Sequence, residues 1–222
     1  MDRQERWTHR AGRRIAAWTA AGALLAPAGA ARALPLISEV FYDAVGSDDG
    51  LSFVEIYGEP GTPVDNLVVE GVNGADGKAY ASLKLAGSIG SDGLFVVADR
   101  TSAGSSSVLE ADQLLNFDLQ NGPDSVVLRD GDTDAVLDAV GYGDFQPGTF
   151  FAGEGTPAPG VAVGASLVRR FANIDTGDNA ADFVELGAPT PHQATVPEPS
   201  SAALSLAGLA GLAAAGRARR PT

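Results

Sequence analysis

From residue 34 to residue 188 the chain never sustains ten residues of helical apolar spacing; short runs of Val, Ile, Leu, Phe and Tyr are cut off every few residues by Gly, Asp, Asn, Ser and Pro. The interruptions at Gly46-Ser47-Asp48-Asp49-Gly50, Asn73-Gly74-Ala75-Asp76-Gly77 and Gly90-Ser91-Asp92-Gly93 are turns with a mechanism. Gly and Asn accept positive φ at little cost, and an Asp side chain bonds the amides of its own turn. A chain of 222 residues carrying 28 Gly and 13 Pro in this arrangement leaves no room for long helices.

The runs between the turns predict strands over 36–42, 52–57, 67–72, 80–85, 94–98, 125–129, 135–140 and 165–170. Several alternate with period two, whereas Ser125-Val126-Val127-Leu128-Arg129 is nearly continuous, as a strand buried on both faces would be. Strands without helices between them predict an all-β antiparallel sandwich or barrel. A helical turn is expected over 107–115, around Leu109 and Leu114-Leu115. Cysteine is absent, so neither disulfides nor thiolate metal sites contribute.

Charge divides the chain into three. Nine of the 15 basic residues lie before residue 34 or after residue 197, whereas only Asp2, Glu5 and Glu198 of the 28 acids do. The span 34–197 therefore holds six basic against 25 acidic residues, a balance of −19. Such a surface repels phosphate backbones and predicts no nucleic-acid partner.

The two ends read as export and sorting segments. Residues 1–33 have the layout of a signal peptide: an Arg-rich start, an Ala/Leu/Gly stretch over 15–31, and Ala31-Arg32-Ala33, with Ala31 and Ala33 as the small residues at a cleavage site. Arg13-Arg14 leaves the twin-arginine route open beside the general one. At the other end, Val196-Pro197-Glu198-Pro199-Ser200 precedes an uncharged Ala/Leu-rich segment over 201–216 and then Arg217-Ala218-Arg219-Arg220. Sixteen helical residues rise about 24 Å, a marginal span for a hydrocarbon core of roughly 30 Å. By the positive-inside rule, Arg217, Arg219 and Arg220 form a basic stop on the cytoplasmic side while the acidic middle crosses. The expected organisation is 1–33 signal peptide, 34–191 β-domain, 192–200 linker, 201–216 transmembrane helix and 217–222 basic end.

The residues from Val196 to the end, with Pro197-Glu198-Pro199, the short apolar helix and the Arg cluster in that order, resemble a PEP-CTERM sorting signal. The resemblance implies recognition of Pro197, Glu198 and Pro199 by an exosortase, an integral-membrane cysteine protease. Cleavage near the motif and delivery to the cell surface or exopolysaccharide matrix would follow. The middle region resembles a lamin-tail domain, which implies an immunoglobulin-like antiparallel β-sandwich. That resemblance rests on Leu36-Ile37-Ser38-Glu39-Val40, Phe53-Val54-Glu55-Ile56-Tyr57, the segment from Leu119-Gln120-Asn121-Gly122-Pro123 to Leu128, Ala165-Ser166-Leu167-Val168-Arg169-Arg170, Asp175-Thr176, Asp182-Phe183 and Pro189-Thr190-Pro191. Gly58 stands where the family often has Asn, and His192 where it commonly has Gly.

Catalytic constellations are scarce. The two histidines are His9, in the signal, and His192, in the exit linker, so a Ser-His-Asp triad or a histidine zinc site within the sandwich is not expected. No Gly-x-Ser-x-Gly, phosphate loop or dinucleotide fingerprint occurs. Asp130, Asp132 and Asp134 stand at alternate positions in Asp130-Gly131-Asp132-Thr133-Asp134, a spacing also used by calcium loops, although a plain hairpin turn explains it as well. Asp175-Thr176-Gly177-Asp178-Asn179 is expected to be structural, its Asp side chains bonding turn amides. Glu39 and Glu55 are expected to be exposed strand positions. The expected function is that of an exported, non-catalytic surface or matrix protein without a cofactor, meeting export machinery, an exosortase-type protease, and exopolysaccharide or envelope proteins. The alternatives are a secreted hydrolase of extracellular polymers working through surface carboxylates and a calcium-dependent binding module.

Overall fold

The computed structural model describes residues 34–197. The expected signal helix, transmembrane helix and basic end lie outside the described residues, among which no helix is long and apolar enough to cross a membrane. Ten strands and one helical turn follow in chain order: β1 Leu36–Phe41, β2 Phe53–Tyr57, β3 Leu67–Asn73, β4 Ala79–Lys84, β5 Leu94–Asp99, β6 Gln113–Leu115, β7 Asp124–Asp130, β8 Val136–Tyr142, β9 Ser166–Arg169, α1 Asn179–Asp182 and β10 Phe183–Leu186. They form a six-stranded sheet in the order β10-β9-β1-β2-β5-β6 and a four-stranded sheet in the order β4-β3-β7-β8. The described region is thus an all-β sandwich.

Its core lies where the inner faces meet. Ile37, Val40, Val54, Ile56, Phe95, Val97 and Leu167 project from the larger sheet; Val69, Leu83, Val126, Leu128 and Val140 project from the smaller. Side chains alternate faces along a strand, so those inward residues leave their neighbours on the outside. The Tyr42 and Tyr142 rings stack across the core with centroids 4.2 Å apart. Each hydroxyl finds a backbone partner at the rim: Tyr42 Oη accepts from the Val161 amide at 3.0 Å, and Tyr142 Oη donates to the Gln120 carbonyl at 2.8 Å.

All eight expected strands form, with ends shifted by one or two residues. Two expectations are corrected. Residues 107–115 do not make a helical turn, and the sheet is not wholly antiparallel, because Gln113–Leu115 runs parallel to β5 as an edge strand. The Gln113 side chain fixes it there by accepting from the Ala86 amide (3.0 Å) and donating to the Lys84 carbonyl (3.2 Å). The preceding loop folds back over the outer face, where Val108 and Ala111 pack against Phe41, Phe53, Val96 and Ala98. The one described helix is instead α1, a single turn capped by Asp178, whose carboxylate accepts from the Ala180 amide at 3.2 Å.

Candidate functional site

The antiparallel ladder sets Glu39 of β1 opposite Glu55 of β2. Their neighbours Val40, Val54 and Ile56 point into the core, so both glutamates stand on the outer face, beside Phe41 and Phe53. The expectation that they are exposed is corrected: Glu39 is 0% and Glu55 1% exposed. The cover comes from far along the chain. Thr190 donates its amide to Glu39 Oε1 at 2.9 Å and its hydroxyl to Oε2 at 3.0 Å. The His192 amide donates to Glu55 Oε2 at 2.6 Å, and the Ser38 hydroxyl to Oε1 at 2.7 Å.

Every carboxylate oxygen of the pair therefore has a donor, and none of these donors carries a charge. Burial pushes the Glu55 carboxyl up to about 7; the Ser38 hydroxyl and the His192 amide pull it down, while neighbouring Glu39 pushes it further up. Burial likewise raises Glu39, opposed by the two Thr190 donors.

His192 is no loose linker residue. Its Nδ1 faces Asp92 Oδ2 at 2.9 Å and its Nε2 faces the Glu110 carbonyl at 2.8 Å, with Asp112 Oδ2 at 3.6 Å. Both ring nitrogens meet acceptors only, and a neutral imidazole can donate from one nitrogen at a time. Burial works against the charged ring, but Asp92, the Glu110 carbonyl and Asp112 outweigh it and raise the His192 pKa.

A second buried cluster lies between the sheets around Arg169, whose side chain is fully covered. Its Nη2 donates to Asp138 Oδ2 at 2.7 Å, Nη1 to Asp182 Oδ2 at 3.2 Å, and Nε to the Ile37 carbonyl at 2.8 Å. The guanidinium carbon sits 4.5 Å from the centre of the Phe183 ring. Asp138 Oδ2 also accepts from the Ile37 amide at 2.6 Å. Burial pushes the Asp138 carboxyl up, with Arg169 and the Ile37 amide pulling against it. Glu154 stands beside this group, raised to about 7 by burial and by the negative charge of Asp138 and Asp175. Asn179 of α1 braces the same end of the sandwich: its Oδ1 accepts from the Gly141 and Glu154 amides, each at 2.9 Å, and its Nδ2 donates to the Ala139 carbonyl at 2.8 Å.

Among the described residues the set of three carboxylates whose oxygens lie within 4.8 Å of one another is Asp138, Glu154 and Asp175; Arg169 already stands in it as a cation. Asp130, Asp132 and Asp134 are not such a set. Asp130 Oδ1 accepts from the Asp132 amide (3.1 Å), the Thr133 amide (2.8 Å) and the Thr133 hydroxyl (2.9 Å), so its carboxylate closes the β7–β8 hairpin. Those Thr133 donors hold the Asp130 pKa below its ordinary value. Asp175 and Asp178 likewise bond turn amides, Asp175 that of Gly177 (2.9 Å) and Asp178 those of Thr156 (3.0 Å) and Ala180 (3.2 Å). Of the sorting residues, Pro197 is the last described and is exposed. Ala31, Ala33, Glu198, Pro199, Arg217, Arg219 and Arg220 lie outside the described residues.

Reasoning from sequence missed the buried pair and the Arg169 cluster. One signal was present: Glu55 interrupts an apolar run, Phe53-Val54 and Ile56-Tyr57, and Ser38-Glu39 interrupts another, Leu36-Ile37 and Val40-Phe41. Such strands are covered on both faces, so a charge within them is expected to be bonded.

Residues 195–220 match the PEP-CTERM protein-sorting motif. No curated protein and no solved structure matches the chain.

Proposed function

We propose that this is an exported, non-catalytic protein of the cell surface or extracellular matrix, whose β-sandwich is an adhesion or interaction module and whose C-terminal tail is a temporary anchor. The observation that carries the reading is the sorting motif over residues 195–220, which marks a chain for export and processing by exosortase-type machinery. In this reading Pro197, Glu198 and Pro199 present the recognition element at the outer membrane face, 201–216 spans the bilayer, and Arg217, Arg219 and Arg220 hold its end inside. Cleavage after Ala33 would leave Leu34, just before β1, as the mature N-terminus.

We assign the sandwich to the lamin-tail, immunoglobulin-like class on its sequence pattern. In support, the segments carrying that pattern fall on β1, β2, the approach to β7 and β7 itself, β9, the passage from α1 into β10, and the exit segment. His192 has φ 62°, a left-handed conformation that glycine adopts without strain; that accounts for the Gly the pattern commonly has there. A non-catalytic role is favoured over a carboxylate hydrolase by the surroundings of Glu39 and Glu55. Paired acids with raised pKa values are what such chemistry uses, but these two are covered and every oxygen is engaged within the fold.

The test is fractionation of the full chain in a host carrying the sorting protease, beside a chain lacking 196–222 and the Glu198→Ala variant. The intact chain loses mass and reaches the surface, the truncated chain is not retained at the envelope, and the Glu198→Ala chain accumulates uncleaved in the inner membrane. An intact chain that shows no mass loss in that host overturns the reading. The adhesion role is tested by capture of the mature protein on exopolysaccharide and envelope fractions of the source cells.

A further inference from the structure

The chain leaves the sandwich by passing back over it. Residues 189–195 cross the outer face of the six-stranded sheet and are fastened at three points. Thr190 gives two donors to Glu39, the His192 amide bonds Glu55, and the Thr195 carbonyl accepts from the Ala172 amide at 2.8 Å. Two of these fastenings end on buried carboxylates that oppose each other in the β1–β2 ladder, and among the described residues no lysine or arginine bonds either one. The other groups facing the crossing are acceptors: the carboxylates of Asp92, before β5, and Asp112, before β6, and the backbone carbonyl of Glu110. From β9, Arg169 turns its guanidinium inward to Asp138, while Arg170 bonds the Ala181 carbonyl at 3.0 Å. Beside the crossing lies a groove of about 690 Å³, walled by Val168, Val184 and Leu186, so the segment rests on its fastenings more than on packing.

We infer that residues 189–195 are a proton-dependent clasp, closed when Glu39, Glu55 and His192 take up protons and loosened as they lose them. Lifting the segment returns the two glutamates to water, and laying it down removes them from water. The closed form therefore holds carboxyl groups whose pKa values lie above the ordinary 4.5, Glu55 near 7. It also holds a His192 raised above 6.5 by the acceptors on both ring nitrogens. Closing takes up protons at all three groups, so the signs agree. Closure is fully favoured below about pH 4.5, is lost as pH rises through about 7 for Glu55, and is lost above pH 6.5 for His192. The clasp fixes the stretch that leads into the sorting motif, so acidity sets how firmly that motif is held to the sandwich; this consequence rests on the tail reading, but the clasp does not.

Residue-resolved amide exchange on the full-length chain in detergent, from pH 5 to 7.5 and normalised to the intrinsic chemical rate, tests it. The protection of the Thr190 and His192 amides falls about tenfold or more over that range and at every pH stays below that of the Gly141 amide, which is bonded to Asn179 and opens with the whole fold. Glu55→Gln and Glu39→Gln each shrink the fall, and either variant alone suffices if the other does not fold. Protection at Thr190 and His192 that ignores pH, or that equals that of Gly141 throughout, so that the segment never opens by itself, overturns the clasp. The measurement contains no protease, so a chain that is never processed overturns the tail reading and leaves the clasp standing.

Discussion

Two clusters of buried carboxylates are anchored on β1, and they are neutralised by different means. Around Asp138 and Asp182 the counter-charge is Arg169, which also bonds the β1 backbone at Ile37. Around Glu39 and Glu55 the bonds come from two amides and two hydroxyls, three of those four donors being on the chain's exit segment, and the nearby His192 ring bonds Asp92 and the Glu110 carbonyl rather than either glutamate. A guanidinium stays charged at any pH a protein meets, so the first cluster behaves as a fixed rivet. Amides and hydroxyls compensate a carboxylate less completely, so burial raises both glutamates and brings Glu55 to about 7. The same functional group, similarly buried, is structural in one place and responsive in the other because of what opposes its charge.

The largest effect tests the rivet. Arg169→Met removes the cation and leaves Asp138 and Asp182 buried beside an apolar chain; one-sided loss of a buried pair costs about 3–5 kcal/mol. Urea unfolding at pH 7 should show that loss. A decrease below about 1 kcal/mol would mean that the Ile37, Ala139 and Thr176 donors compensate the acids by themselves, and the contrast between the clusters would fall.

Next comes the pH profile. Glu55 titrates near 7 in the fold against 4.5 in the unfolded chain, so the folded state binds the extra proton between those values. The stability it contributes is fully present below about pH 4.5 and is lost as pH rises through about 7. Between pH 5 and pH 8 the wild type should lose about 1–3 kcal/mol from this group. Glu55→Gln should remove that part of the slope. Glu154 titrates in the same window near Arg169, so Glu154→Gln serves as the comparison: if it flattens the profile and Glu55→Gln does not, the responsive cluster is the other one.

A similar magnitude is expected at the Asn179 brace beside the Arg169 cluster. Asn179→Ala leaves the Gly141 and Glu154 amides and the Ala139 carbonyl without their partner; each buried orphan costs about 1–3 kcal/mol, partly recovered if water enters. Thermal melting should show the loss with little change in its pH dependence. A changed pH dependence would show that Glu154 is tied to the brace rather than to the acids.

How much of this was legible in the residues follows from distance along the chain. Strands announce themselves locally, so eight of the ten were readable, and so was the Asp130 turn, whose donors lie two and three residues away. β6 and β10, at three and four residues, carry little pattern and went unread, although β9, also of four, was legible. Glu39 was misjudged because alternation places it correctly on the outer face but cannot reveal a cover supplied 151 residues later by Thr190. Arg169-Arg170 shows the same limit in a dipeptide: Arg169 shares the inward face of Leu167 and finds Asp138, while Arg170 stays exposed. Composition treats the two alike.

The smallest effect is expected at His192, and its smallness is informative. His192→Gly keeps the amide that bonds Glu55 and removes the ring that bonds Asp92 and the Glu110 carbonyl. The lost bonds are partly open to water, since 17% of the histidine side chain is exposed, which weakens them. The substitution also relieves a left-handed backbone at φ 62°, worth on the order of 1 kcal/mol. The two contributions oppose each other, and the net change in global stability should stay below about 1 kcal/mol. Its pH signature should differ from that of Glu55→Gln: the slope above pH 6.5 diminishes with the histidine, while the slope from pH 4.5 to 7 persists with the glutamate. Denaturation at half-unit pH intervals separates the two. If His192→Gly instead destabilises the fold as much as Arg169→Met does, the ring is itself a rivet, and the exit segment belongs with the fixed cluster rather than the responsive one.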